Sequence, residues 1–259
     1  MSDKRATEKL HFAASDRPKA QEARAELVKR YGDVDRDEAD VIVALGGDGT
    51  LLEVLRHTMP DPKPIYGMNC GTVGFLMNEH RLSDLRDRIA VAGPVVINPL
   101  RMNATDSSGQ SHEAMAFNEV ALLRETRQTA RIKIRVNGQV QMDQLICDGI
   151  LLATPAGSTA YNLSAHGPIL PITSNLLALT PISPFRPRRW RGALLPYEAA
   201  VEFEVQDADF RTVAATADNI EIRDVERVKV AIADDIELCL LFDQGAGLEE
   251  RILEEQFQY

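Results

Sequence analysis

The spacing of hydrophobic residues over the first hundred positions alternates between strand and helix patterns. Residues 18–31 (PKAQEARAELVKRY) are rich in strong helix formers. Residues 41–45 (VIVAL) form a continuous apolar run of strand length, which is typical of a strand covered on both faces. Residues 51–55 (LLEVL) return to helical spacing. The alternation predicts a Rossmann-like α/β layer.

Local signals indicate where the next elements begin and end. Thr50 and Glu53 have the spacing of a capping box, which predicts that the second helix begins at Thr50. Three prolines, from Pro60 onward, end that helix. A strand over residues 65–69 then leads into a glycine-rich turn, and residues 82–89 carry a further helical pattern.

The hydrophobic period changes to two after residue 99. Residues 132–136, 201–205 and 228–232 alternate between apolar and charged side chains, as half-buried strands do. Asn137 and Gly138 between two such stretches predict a type I′ hairpin turn. Residues 114–123 are predicted to form one strand. This half is therefore expected to be mostly antiparallel β-sheet, ending in a strand near residues 238–242 and a helix near residues 248–253.

Composition and charge narrow the class of protein. The chain has 259 residues, and 44% of them are hydrophobic, which is sufficient for a large core. Its formal net charge of -10 disfavours nucleic acid as a partner. No apolar stretch reaches the length of a membrane span, and the first ten residues lack a signal peptide. Three widely separated cysteines indicate neither a disulfide framework nor a zinc site. We expect a cytoplasmic protein with no membrane partner.

The segment Gly46-Gly-Asp-Gly-Thr50 lies between the buried strand and the helix that follows it. A tight turn at a helix N-terminus presents backbone N–H groups that bind phosphate, and glycines allow the backbone to approach the anion closely. The charge of Asp48 would repel a phosphate. Its presence indicates a different task, namely to orient or deprotonate an attacking hydroxyl or to bind magnesium.

Two further segments carry polar residues beside apolar strands. Asn118 and Glu119 interrupt an apolar run, so one of the two side chains is expected to point inward, where a carboxylate needs a partner or a ligand. Residues 154–164 (TPAGSTAYNLS) form a small, hydroxyl-rich turn that follows Asp148, Gly149 and a hydrophobic strand. Its hydroxyls can bond phosphate or ribose, and Tyr161 can stack on a ring.

In this order, these segments resemble the NAD kinase family. The resemblance covers nearly the whole chain from residue 41, and it rests on residues 46–50, 67–76 (GMNCGTVGFL), 117–119, 148–149 and 154–164. The GGDG element is shared with diacylglycerol and sphingosine kinases, whereas the TPAGSTAY run is far more specific. The family's fold implies an α/β domain over residues 1–98 and 243–259, to which the chain end returns, and a β-rich NAD-binding domain over residues 99–242.

The resemblance implies a role for each matching residue. Asp48 is the expected catalytic residue, and with Gly49 it also belongs to the expected NAD site. The expected phosphate- and ATP-binding residues are Gly46, Gly47, Gly49 and Thr50. Asn118 and Glu119 would hold NAD hydroxyls, and Asp148 and Ala156 would contact the nicotinamide end. The residues expected to wrap the adenosine and its ribose are Thr159, Ala160, Tyr161, Asn162, Leu163 and Ser164.

The implied activity is a phosphotransfer with an alcohol group as acceptor: ATP would phosphorylate the 2′-hydroxyl of the adenosine ribose of NAD. Magnesium or another divalent metal is the expected cofactor, with its ligands in the protein unassigned. A homodimer or homotetramer is expected. Polyphosphate as donor and NADH as acceptor stay open, as do two other functions, a GGDG-type lipid kinase and a non-catalytic nucleotide-binding regulatory module.

Overall fold

The computed structural model describes residues 9–71 and 74–244, which separate into two compact units. One unit contains the chain up to Ile97 together with the chain from Ile236 onward, and the other is Asn98–Asp235. The helix predicted at residues 248–253 and part of the segment at residues 67–76 lie outside the described residues. That residues 99–242 form an NAD-binding domain, and that the domain with the GGDG motif spans residues 1–98 and 243–259, stays a prediction.

The described residues form four α-helices and seventeen strands. The helices are α1 (Pro18–Tyr31), α2 (Asp48–Thr58), α3 (Leu85–Val91) and α4 (Tyr161–Ser164), and short 3-10 turns cover Arg36–Glu38 and Ala156–Thr159. The strands are β1 (Leu10–Ala14), β2 (Val41–Gly46), β3 (Ile65–Asn69), β4 (Gly93–Ile97), β5 (Leu100–Asp106), β6 (Ser111–Ala116), β7 (Glu119–Arg124), β8 (Ala130–Val136), β9 (Gln139–Cys147), β10 (Gly149–Ala153), β11 (Leu176–Ile182), β12 (Ala193–Pro196), β13 (Val201–Val205), β14 (Val213–Ala217), β15 (Ile220–Ile222), β16 (Val225–Ile232) and β17 (Leu238–Phe242).

The first unit is a five-stranded α/β sheet in the order β1-β2-β3-β17-β4. Strands β1, β2, β3 and β17 run parallel, and β4 pairs antiparallel with β17. Every residue of β2 is buried, as its continuous apolar run predicts. The carboxyl ends of β2 and β3 meet at one edge of the sheet, which is where ligands bind in this class of fold. The predicted α/β layer and the return of the chain to it are confirmed.

The predicted start of α2 is wrong. The helix begins at Asp48, with Gly47 as its N-cap, and no side chain caps it. Thr50 therefore lies in the first turn, so it forms no capping box with Glu53. The side chain of Thr50 instead packs against the backbone of Gly46, where an added Cβ atom would lie 2.2 Å from the Thr50 Oγ1 atom.

The second unit consists of two six-stranded antiparallel sheets that share one hydrophobic core. Their orders are β12-β11-β10-β7-β14-β15 and β6-β5-β16-β13-β8-β9. Alternate residues of the predicted period-two strands, such as Ile132, Ile134 and Phe203, point into this core. Asn137 and Gly138 have φ of 50° and 77°, as a type I′ turn requires, so the predicted hairpin is confirmed.

The single strand predicted over residues 114–123 is also wrong, because the chain changes sheets within it. Strand β6 ends at Ala116 in one sheet and β7 begins at Glu119 in the other. The backbone N–H groups of Phe117 and Asn118 donate to the carboxylate of Asp218 rather than to a neighbouring strand. A side chain from another hairpin therefore ends the first strand.

Strand β10 is buried on both faces. Ile150 and Leu152 belong to the core between the two sheets. Leu151 and Ala153 face the opposite side, where they pack with Leu170 and a half-buried Tyr161. The hydroxyl-rich segment that follows β10 thus folds back over the outer face of its own sheet. No helix among the described residues is long and apolar enough to cross a membrane.

We expect Phe203→Ala to lower the free energy of unfolding by about 3–5 kcal/mol, because the ring is fully buried between the two sheets and its removal leaves a cavity. Phe210→Ala is the matched control, since that ring is 64% exposed, and we expect a change of less than about 1 kcal/mol. Urea unfolding of both variants measures the difference. Equal losses would contradict the assignment of the core.

Candidate active site

The first candidate site, here called the phosphate turn, lies in the α/β unit and connects β2 to α2. It consists of Gly46, Gly47, Asp48, Gly49 and Thr50. The amides of Thr50 and Leu51 already donate to the carbonyl of Gly47. The amides before them belong to the helix N-terminus, which has no intrahelical acceptors for its first N–H groups and carries a partial positive charge. The turn is therefore suited to a phosphate group.

Asp48 is half-buried at the start of α2, and backbone amides hold its carboxylate. The N–H of Phe75 donates to Oδ2 at 2.9 Å and the N–H of Leu76 donates to Oδ1 at 3.0 Å. Such bonds to a charged acceptor are stronger than bonds between neutral groups. They fix the orientation of the one acidic group within the phosphate turn.

Asn78 anchors the segment that supplies these amides. Its side-chain amide donates to the carbonyls of Gly67 and Leu241, and its Oδ1 accepts the N–H of Asp243. The Asn78 N–H also donates to Gly67. Because Asn78 is buried, these bonds tie the segment firmly to β3 and β17. The position of Asp48 thus depends on two strands of the parallel sheet, β3 and β17.

A second candidate site, here called the dinucleotide turn, lies in the other unit and consists of Phe117, Asn118 and Glu119. Thr154, which follows β10, makes two hydrogen bonds to this turn and one to Gly157. The Thr154 hydroxyl donates to the Phe117 carbonyl at 2.6 Å and accepts the N–H of Gly157 at 3.0 Å. The Thr154 N–H donates to the Asn118 carbonyl at 2.9 Å.

Gly157 allows the hydroxyl-rich segment to pack directly on this turn. A Cβ atom added at Gly157 would lie 2.1 Å from the carbonyl oxygen of Asn118. Backbone atoms cannot move aside as the end of a flexible side chain can, so only glycine fits. The dinucleotide turn and the start of the hydroxyl-rich segment are therefore one rigid piece.

Glu119 is the one acidic side chain of the dinucleotide turn. Its Oε2 atom is shielded from solvent and has no hydrogen-bond partner among the described residues. Burial, and secondarily the charge of Asp218, raises the pKa of Glu119 to about 7, although the backbone N–H of Tyr161 partly offsets this by donating to the carboxylate. A buried acceptor without a partner is what a ligand hydroxyl would satisfy.

The residues predicted to wrap the nucleoside occupy different environments. Ser164 is exposed, Thr159, Ala160, Tyr161 and Leu163 are half-buried, and Ala156 is buried. Asn162 is fully buried, and its side chain is engaged within the protein. It donates to the carbonyls of Ser158 and Pro168 and accepts the hydroxyl of Thr180. The side-chain amide of Asn162 therefore stabilises the fold of this segment, and its hydrogen-bonding groups are used within the protein rather than presented to a ligand.

Asp148 lies at the opposite end of β10 from the dinucleotide turn. Gly149 pairs with Leu123 and Ala153 pairs with Glu119, so the two ends are about 13 Å apart along the strand. Arg124 Nε donates to Asp148 Oδ1 at 2.6 Å. Burial, followed by the charges of Glu119 and Asp148, raises the pKa of Tyr161, so the phenol lies within electrostatic range of both carboxylates. A ligand that contacts both ends must be extended.

Two residues that hold the dinucleotide turn were not predicted as site residues. Thr154 belongs to the recognised segment, but its hydroxyl binds the protein rather than a ligand. Asp218 accepts three amides of the turn from about a hundred residues further along the chain. An aspartate at a two-residue hairpin turn is common, so no local signal distinguishes Asp218.

No group of three or more metal-binding side chains lies together in the part of the chain that the structure describes. Mg²⁺ in nucleotide sites is commonly held by one or two carboxylates, waters and the phosphates of the substrate. A single carboxylate, Asp48, beside a turn that suits phosphate fits that manner of binding. It does not fit a cage made by the protein alone.

Comparison with known proteins decides the family. Residues 1–88 match the ATP-NAD kinase N-terminal domain, and residues 117–241 match the ATP-NAD kinase C-terminal domain. A NAD kinase of Caulobacter vibrioides is 59% identical over 96% of this chain and 96% of its own length. One of Hyphomonas neptunium is 56% identical over 97% and 98%. The chain belongs to the NAD kinase family.

Solved structures of NAD kinases share the fold. Yeast NADH kinase complexed with NADH superposes with a TM-score of 0.82 at 20% identity, covering 95% of this chain and 86% of its own. An NAD kinase from Archaeoglobus fulgidus in complex with ATP superposes with a TM-score of 0.75 at 22% identity, covering 95% and 98%. At these identities the likeness concerns the fold alone.

We expect Gly157→Ala to raise the KM for NAD at least about tenfold, because the added methyl group would displace the Asn118 carbonyl. Gly93→Ala is the matched control, since its nearest non-neighbouring atom would lie 4.0 Å from the new Cβ. Steady-state kinetics with NAD as the varied substrate measures both. A KM that is unchanged in Gly157→Ala would show that the close approach is unimportant for binding.

We expect Glu119→Gln to make the protein more stable at pH 8 while weakening NAD binding. The pKa of Glu119 is raised from 4.5 to about 7 in the folded state, so the folded state holds this proton more tightly than the unfolded chain does. Stability therefore falls as the pH rises from 4.5 through 7. Removing the ionisable group should recover about 1–3 kcal/mol at pH 8 and nothing at pH 4.

Urea unfolding from pH 4 to pH 8 measures this effect. Glu198→Gln, which removes an exposed carboxylate from the same unit, is the control and should leave the pH dependence unchanged. If Glu119→Gln followed the parent at every pH, the carboxylate would not be buried as the structure has it.

Proposed function

We propose that this chain transfers the γ-phosphoryl group of ATP to the 2′-hydroxyl of the adenosine ribose of NAD, giving NADP and ADP. It is a NAD kinase, and its relatives of that name match it over nearly their whole length. One observation carries the chemical proposal. The carboxylate of Asp48 lies in a turn that suits phosphate, and the backbone N–H groups of Phe75 and Leu76 hold it in place. A GGDG-type lipid kinase is not favoured, because both NAD kinase domains match.

Asp48 acts on the nucleophile rather than on the phosphate. The 2′-hydroxyl donates to the carboxylate, which aligns the oxygen for in-line attack and receives its proton as the new P–O bond forms. The bond between the γ-phosphorus and the bridging oxygen breaks, and ADP leaves. Because the amides of Phe75 and Leu76 hold Asp48 in place, little reorientation is needed before attack.

Charge on the transferred group is stabilised by the phosphate turn. The amides at the start of α2 point toward the anion, and Gly46, Gly47 and Gly49 allow it to approach. Mg²⁺ bound to the phosphates of ATP would supply further neutralisation, with Asp48 as the nearby carboxylate. The sequence contains no P-loop lysine, so backbone amides carry a larger share of this work.

The dinucleotide turn binds the NAD hydroxyls. Glu119 Oε2, which lacks a partner among the described residues, accepts a hydrogen bond from a ribose hydroxyl, and the Asn118 side chain adds a donor and an acceptor beside it. The phenol of Tyr161, which lies within electrostatic range of Glu119 and Asp148, stacks on a base. An extended dinucleotide spans the distance of about 13 Å between the two ends of β10.

We further propose that the chain works in the cytoplasm as a homodimer or homotetramer. Val140 on β9 and Leu194 on β12 are exposed, and each lies on an edge strand. Apolar side chains on an open sheet edge favour pairing with another copy.

ATP is the proposed phosphoryl donor and NAD is the proposed acceptor. Polyphosphate as donor and NADH as acceptor are the substrates to compare against them.

We expect Asp48→Asn to reduce NADP formation by at least about a hundredfold, because the amide can neither accept the proton nor accept both backbone N–H groups. The assay contains ATP, magnesium and NAD, and an NADP-specific dehydrogenase reports the product. Asp61→Asn, an exposed aspartate after the same helix, is the control and should keep full activity.

A loss of less than about tenfold, or ~1.4 kcal/mol of barrier, would overturn the catalytic role of Asp48. If the parent chain bound NAD but formed no NADP with ATP or polyphosphate, the regulatory nucleotide-binding module would replace the kinase.

A further inference from the structure

We infer that Asp218 is a positioning residue for the acceptor substrate: it folds the dinucleotide turn and presents Asn118 and Glu119 to NAD. The inference rests on the proposed function, because it assigns Asn118 and Glu119 to NAD binding. It adds a residue that lies outside every motif discussed above.

The carboxylate of Asp218 collects three consecutive backbone amides. Oδ2 accepts the N–H of Phe117 at 2.8 Å, and Oδ1 accepts the N–H of Asn118 at 3.0 Å and that of Glu119 at 3.4 Å. Amides that converge on one acceptor in this way form a concave anion-binding arrangement. Here the anion is part of the protein, so the turn is shaped before any ligand arrives.

The backbone of Asp218 reinforces the arrangement. Asp218 lies in the turn between β14 and β15 with φ of 51°, a left-handed conformation that aspartate and asparagine tolerate. Its N–H donates to the Glu119 carbonyl at 3.2 Å. Strand β14 pairs with β7 along its length, from Val213 opposite Arg124 to Ala217 opposite Val120. The hairpin therefore carries Asp218 to the point where β7 begins.

Asp218 also acts on the charge of Glu119. The negative charge of Asp218 raises the pKa of Glu119 beyond the effect of burial. The backbone N–H of Tyr161, which belongs to the hydroxyl-rich segment, lowers that pKa. Removing the negative charge of Asp218 should therefore lower the pKa of Glu119. A residue that only supported the fold would not shift the pH dependence of NAD binding in this direction.

The test is Asp218→Asn. Asparagine has nearly the same size and tolerates the same left-handed backbone conformation, but it lacks the charge and one acceptor oxygen. Asp224→Asn is the matched control. Asp224 lies in the next turn with φ of 52°, is exposed, and its carboxylate makes no hydrogen bond within the described residues. Both proteins are compared with the parent by steady-state kinetics and by calorimetric titration with NAD from pH 5.5 to pH 8.5.

We expect Asp218→Asn to raise the KM and the dissociation constant for NAD about tenfold, with a smaller change in kcat. The parent should bind NAD more tightly as the pH rises through about 7, since the ribose hydroxyl donates to ionised Glu119. In Asp218→Asn this transition should move to lower pH, whereas Asp224→Asn should match the parent in both respects.

Asp218→Asn that matches Asp224→Asn in NAD affinity and pH profile would overturn the inference while leaving the kinase assignment in place. A parent chain without kinase activity would instead contradict the proposed function, and the calorimetric pH profile would still test Asp218. If Asp218→Asn does not fold, Asp218→Ser, which keeps a smaller acceptor, takes its place. Failure of both to fold would assign Asp218 to structure alone and overturn the positioning role.

Discussion

The phosphate turn and the dinucleotide turn both depend on one kind of interaction, a carboxylate that accepts successive backbone N–H groups from a remote segment. Asp48 receives amides from Phe75 and Leu76, and Asp218 receives amides from the dinucleotide turn. A hydrogen bond to a charged group contributes about 1.5–3 kcal/mol, which is enough to set the conformation of a short turn. In the first case the carboxylate is the proposed reactive group, and the loop orients it. In the second the carboxylate orients the loop.

Two glycines allow other groups to pack directly against the backbone in these turns. Gly46 admits the side chain of Thr50, and Gly157 admits the carbonyl of Asn118, at distances that a Cβ atom would forbid. Neither glycine has a positive φ, so contact rather than backbone conformation requires them. A methyl group at either position would therefore displace the Thr50 side chain or the Asn118 carbonyl. Gly46 and Gly157 are thus packing residues within the two candidate sites.

Local signals in the sequence predicted the elements well, whereas long-range contacts decided where those elements end. The buried run of β2 and the Asn137–Gly138 hairpin follow from a few adjacent residues, and both predictions are confirmed. The capping box at Thr50 and the continuous strand over residues 114–123 are wrong for different reasons. The distant carboxylate of Asp218 takes backbone N–H groups at residues 117 and 118 and ends β6. At the other position the helix begins earlier, at Asp48, and the Thr50 side chain packs on Gly46, four residues before it.

The dinucleotide turn places a buried carboxylate where the folded protein does not stabilise it. Glu119 Oε2 has no partner among the described residues and lies near the like charge of Asp218, so ionisation of Glu119 opposes folding. A carboxylate in such an unfavourable position is retained when a ligand donates the hydrogen bond that the protein does not supply. In the proposed function, a ribose hydroxyl that donates to Glu119 would relieve the burial cost, so that binding would stabilise the fold increasingly as the ligand concentration rises. The same oxygen would discriminate among ligands, because a dinucleotide that lacked the hydroxyl would leave it unpaired. The proposed specificity and the cost of ionising Glu119 in the ligand-free protein thus have the same physical origin.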